Sequence, residues 1–90
     1  MNAARARRLI RELTRQGKWL IPTDAQESMV ERCVVPEDVR SVLVGAETCH
    51  AEPPDAGCWR GRMAGGDPLK VVVELLSDVV VVTMFRGDEP

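Results

Sequence analysis

The stretch L-K-V-V-V-E-L-L-S-D-V-V-V-V-T-M-F-R, Leu69 to Arg86, decides the architecture. Two runs dense in β-branched residues, Leu69 to Leu76 and Val79 to Phe85, flank Ser77-Asp78, the pattern of an antiparallel hairpin. A two-residue turn at Ser77-Asp78 makes paired residue numbers sum to a constant, which places Val71, Val73, Leu75, Val80, Val82 and Met84 on one face. That face is the one expected to meet helices. The other carries Lys70, Val72, Glu74, Val81, Thr83 and Phe85, a mixture suited to partial exposure. In this register Lys70 and Arg86 fall on opposite faces. Upstream, Cys58 to Met63 reads as a third strand, closed by the turn residues Gly65-Gly66-Asp67-Pro68, and the Pro- and Glu-containing segment from Ala46 to Gly57 reads as a loop.

The first half of the chain has helical spacing instead. Ala6, Leu9, Ile10 and Leu13 recur at one face of an amphipathic helix over Ala3 to Gln16, with Gly17 as its left-handed stop. Lys18 to Ile21 is a short extended piece ended by Pro22, with Trp19 turned to the core. Thr23 or Asp24 is placed to cap a second helix reaching Arg32, with Met29, Val30 and Cys33 as its apolar stripe. Pro36 fits the first turn of a third helix, where its missing N–H loses nothing; Val39, Val42 and Leu43 face inward and Gly45 ends it. The expected fold is α+β: two or three N-terminal helices packed on one face of a small antiparallel sheet of three to four strands. Ninety residues leave room for a single domain, 1–90.

Composition narrows function. With aromatics at 3% and no Tyr, the chain has few platforms for stacking single-stranded bases. Net charge is −2, but residues 1–20 hold six basic side chains against Glu12 alone, while the other seventy residues hold six basic and thirteen acidic ones. A uniformly basic surface for nucleic acid is thereby excluded, and Arg7, Arg8, Arg11 and Arg15 on the first helix form a basic surface suited to an acidic protein partner or a second copy. Three cysteines, an odd number, and an Arg-rich start without an apolar segment behind it point to a reduced, cytoplasmic protein. Cys49, His50 and Cys58 lack the paired spacing of a zinc site, so no metal and no cofactor is expected.

The succession of Ala6 to Lys18 (A-R-R-L-I-R-E-L-T-R-Q-G-K), a capped helix, a shorter helix, then W-R-G-R-M, P-L-K-V-V-V and V-V-V-V-T-M-F-R resembles the MqsR-type branch of the RelE/ParE-like toxins. Ile21 to Val39 is also similar to a related toxin-like domain family with the pattern T-H-A-x-x-R-M-x-x-R-G-I followed by D-V. Thr23, Ala25, Met29, Arg32, Asp38 and Val39 agree with it, whereas Asp24 stands for His, Ser28 for Arg and Cys33 for Gly. The resemblance implies a RelE/ParE-like fold and a metal-free endoribonuclease acting on messenger RNA at the ribosome, neutralised by a cognate antitoxin. Its catalytic Gln, Tyr and Lys places fall on Arg60, Pro68 and Arg86. The residues left to carry such chemistry are Arg86, Lys70, Arg60 and His50, the only imidazole, with Arg62 as an RNA-binding cation. Loss of the Tyr and His supports the alternative, a non-catalytic protein-interaction module on the same fold.

Overall fold

The structure is a computed structural model that describes residues 2–52, 59–65 and 68–87. In chain order the elements are α1 (Ala3–Arg15), β1 (Trp19–Leu20), α2 (Thr23–Glu31), α3 (Pro36–Gly45), β2 (Thr48–Glu52), β3 (Trp59–Ala64), β4 (Leu69–Leu75) and β5 (Val79–Arg86).

α1 is delimited by local chemistry at both ends. The Asn2 side chain accepts the Arg5 N–H at 2.8 Å, using one of the first-turn donors that lack a helical partner. At the other end Gly17 takes φ 78°, and the Gly17 and Lys18 amides close back on the Thr14 and Leu13 carbonyls at 3.1 and 2.8 Å. This double closure is a Schellman cap, and it requires a residue at ease with positive φ. Ala6, Ile10 and Thr14 form the buried stripe, with Leu13 partly buried beside it. The expected core position Leu9 is 38% exposed. The helix is rolled toward α3, because the Arg7 guanidinium donates to the carbonyls of Glu47 (2.8 Å) and Ala46 (3.4 Å) where α3 ends. Thr14 is tolerated in the core since its hydroxyl donates to the Ile10 carbonyl at 2.6 Å.

α2 starts one residue earlier than the expected cap allows. Pro22 is the N-cap residue and offers no side-chain bond; Gln26 Nε2, donating to the Ile21 carbonyl at 2.8 Å, ties down the entry instead. α3 follows Val35 with Pro36 at its first position, and the Asp38 carboxylate accepts the Val35 N–H at 3.2 Å.

The sheet has five strands in the order β1-β5-β4-β3-β2, and it is mixed: β1 runs parallel to β5 and every other pair is antiparallel. This corrects the expected antiparallel sheet of three to four strands. The extended Trp19-Leu20 step adds an edge strand, because α2 returns the chain over the sheet and leaves the two residues alongside Val79 and Val80. Thr48–Glu52, read from sequence within a loop, pairs residue by residue with Ala64–Arg60. Its residues lack the alternation of a strand, so only the partner's edge makes it one. The expected strand start at Cys58 and part of the turn after Gly65 lie outside the described residues.

The β4–β5 hairpin corrects the expected register near the turn. Leu75 pairs with Val79, so Leu76, Ser77 and Asp78 form a three-residue connection. Val79 and Val81, not Val80 and Val82, therefore face the helices together with Val71, Val73 and Leu75. A bulge opposite Val72 and Val73 absorbs the extra residue, and from Thr83 onward the pairing returns to the expected one, with Met84 inside. All three helices pack on this one face over a core of Val39, Val42, Leu43, Met63, Val71, Val73, Val81 and Met84. Among the described residues no helix is long and apolar enough to cross a membrane.

Candidate functional site

The alternation of β2, β3 and β4 turns a second set of side chains to the sheet face opposite the helices. Cross-strand pairing arranges them in rows. Glu52, Arg60, Glu74 and Val80 form one row; His50, Arg62, Val72 and Thr83 the next; Thr48, Ala64, Lys70 and Phe85 the third. His50 and Arg62 are thus directly opposed, and Arg62 and Lys70 are diagonal neighbours, within roughly 7 to 8 Å at their Cα positions. Four of the sequence-derived site residues, His50, Arg60, Arg62 and Lys70, share this face.

Their electrostatic situations differ. Arg60 lies between two acidic neighbours, Glu52 and Glu74, and its Nε is 3.9 Å from the Glu52 carboxylate. Arg62 has no acidic residue directly opposite it, though Glu52 and Glu74 stand diagonal to it on the two neighbouring strands, as Lys70 does. The Arg62 Nε is shielded from solvent and has no hydrogen-bond partner among the described residues, beside a fully packed Val72 at the centre of the face. A shielded donor without an acceptor costs on the order of 1–3 kcal/mol, which an incoming anion would relieve. Lys70 stands between Ala64 and Phe85, with its ammonium against Gly87. Phe85, not singled out by sequence reading, is the aromatic of this face; its position opposite Lys70 was legible from the hairpin alternation alone.

Arg86 is held elsewhere. It pairs with Leu69 on the helix side, and its Nη2 donates to the Arg32 carbonyl at 3.4 Å, while Arg32 Nε donates to the Met84 carbonyl at 2.8 Å. The two arginines tie the end of α2 to β5, beyond the reach of two-residue β1, and so cover part of a sheet edge.

The basic residues of α1 also separate. Arg7 is bonded to the end of α3, Arg11 is half-buried with a shielded Nε, Arg15 pairs with Glu12 at 3.4 Å, and Arg8 is exposed. Cys49 points to the helix side under α1, where burial raises its thiol pKa above 9.0 and the nearby Arg7 charge partly offsets that rise. Among the described residues no three His, Cys, Asp or Glu side chains gather as a metal-binding group, and Cys58 lies outside those residues.

The chain was compared with models of known families, with characterised proteins and with solved structures, and none of the three comparisons gives a match.

Proposed function

We propose that the open sheet face binds RNA and that the protein is a RelE/ParE-like, MqsR-type toxin: a metal-free endoribonuclease directed at messenger RNA on the ribosome and neutralised by a cognate antitoxin. The observation that carries this reading is the placement of His50, Arg62 and Lys70 on one sheet face, with the Arg62 Nε shielded and without an acceptor among the described residues. The order of helices and strands is compatible with the family that the sequence resembles.

In the chemistry this arrangement allows, Arg62 holds the scissile phosphate and stabilises charge that develops on it. His50 accepts the proton of the ribose 2′-hydroxyl as that oxygen attacks phosphorus, and Lys70 gives a proton to the departing 5′-oxygen. The products are a 2′,3′-cyclic phosphate and a 5′-hydroxyl end; His50 and Lys70 then return to their starting states by exchange with solvent. Phe85 offers a stacking surface beside the cation, while Arg60, set between Glu52 and Glu74, is neutralised and adds no positive potential.

The test is incubation of the full chain with RNA in excess chelator. Cleavage with cyclic phosphate ends is expected, lowered about 10²- to 10⁴-fold by His50→Ala and lost on Arg62→Ala, and induced expression of the wild type without antitoxin should arrest growth. Harmless expression together with absent RNA binding would leave the alternative, a protein-interaction module on this fold, which the removal of Arg86 from the cationic face favours.

A further inference from the structure

The helix layer carries two surfaces that nothing in the sheet-face reading uses. The first is a largely apolar groove of about 310 Å³ between α2 and α3, lined by Ile21, Met29, Val30, Val34, Val35 and Pro36 together with Gln26, whose amide is spent on the Ile21 carbonyl. Val30 is 80% and Val35 52% exposed, unusual for valines that sit side by side. Of the carboxylates on the two helices that bound the groove, Glu27 and Glu31 of α2 and Glu37 at the start of α3 are exposed and without an ion pair among the described residues. An apolar floor with an acidic rim selects an occupant with an apolar centre and basic flanks.

The second surface has that composition. On the side of α1 turned away from the core, Arg5 and Arg8 are exposed around Leu9, which is rolled out of the core, and Glu12, the acidic residue of the same patch, is paired with Arg15 at 3.4 Å. Within one copy the two surfaces do not meet, because α1 spends its opposite face on α3, β2 and β5, while α2 lies on β5. We infer that the α2–α3 groove is the docking site for α1 of a second copy of this chain, with Leu9 seated on Val30 and Val35 and Arg5 and Arg8 against Glu27 and Glu31. Both surfaces belong to the helix layer, so two copies stacked layer on layer form the contact twice about a two-fold axis, and the assembly closes as a dimer. The opposite sheet faces, with His50, Arg62 and Lys70, stay open on both copies.

Charge reversal tests this independently of any RNA activity. Sedimentation equilibrium of the full chain at 0.1 M salt should show a dimer that weakens by about tenfold or more at 1 M, as screening shortens from about 10 to about 3 Å. The double variant Arg5→Glu/Arg8→Glu and the double variant Glu27→Lys/Glu31→Lys should each be folded monomers by circular dichroism and sedimentation. Mixed in equal amounts they should dimerise again, since each then offers the other a complementary helix and a complementary groove. A wild type that stays monomeric up to its solubility limit overturns the proposal. So does a dimer that survives either reversal, a mixture that does not reassociate, or a groove that accepts a basic amphipathic peptide while the chain remains monomeric.

Discussion

Cys33 follows α2 with φ 54°, in the left-handed region that an L side chain enters at a cost of about 1–2 kcal/mol. It is held there by the Cys33 and Val34 amides, which close on the Val30 and Met29 carbonyls at 3.3 and 2.9 Å, the same cap that Gly17 forms after α1. The position is the one where the related toxin-like pattern has Gly, so the departure from that pattern falls where the backbone has a physical reason to prefer glycine. Glycine would remove the strain but add unfolded-state freedom worth about 0.4–1 kcal/mol. The strain outweighs that freedom, so Cys33→Gly should raise stability by about 0.5–1 kcal/mol in urea denaturation; an equal loss would mean the side chain contributes packing that its exposure does not suggest.

At the scale of elements, the β4–β5 hairpin shows how turn length overrides pattern. Val79 to Val82 is uniform, so alternation carries no information about which member points inward. A two-residue and a three-residue connection send opposite halves of that run to the core, and the three-residue one is formed. Two substitutions read the register out. Val81→Ala should cost about 2 kcal/mol by leaving a cavity under the helices, while Val80→Ala, on the open face, should stay within about 0.5 kcal/mol; the reverse order would restore the two-residue turn. α1 makes the complementary point, because its helical period is plain in Ala6, Ile10 and Leu13, yet its rotation about its own axis follows from the hydrogen bonds of Arg7 to the end of α3.

For the molecule as a whole, the seam between the helix layer and the β2 edge gives stability a pH dependence. Cys49 is half-buried under α1, and that partial burial favours its neutral thiol. With the folded pKa above the unfolded one, the folded state binds more protons, so the contribution is complete below about pH 8.5 and is lost as pH rises through the raised value. The stability difference between wild type and Cys49→Ala should therefore be constant from neutral pH up to that point and fall beyond it. Parallel curves across the alkaline range would mean that partial burial leaves the thiol's proton affinity unchanged on folding. The charge division of the chain, basic in its first twenty residues and acidic beyond them, has its structural counterpart in the separation of α1 from the acidic rim of α2 and α3.

Local chemistry determined the parts of this protein that neighbours in sequence can settle. Asn2 and Gly17 bound α1, Pro36 opens α3, and the two β-branched runs form a hairpin, because caps, fixed φ and β-branching act within a few residues. The alternation from Lys70 likewise put Val72, Thr83 and Phe85 on the face away from Met84. Tertiary structure decided the rest. The strand character of Trp19–Leu20 and Thr48–Glu52 exists only where a partner edge supplies hydrogen bonds, and the roll of α1 depends on a carbonyl about forty positions away. The cationic face is also a product of register: His50 meets Arg62 because β2 pairs with β3. Such pairings are long-range choices whose energy comes from hydrogen bonds and burial shared between distant segments, and no local pattern encodes them.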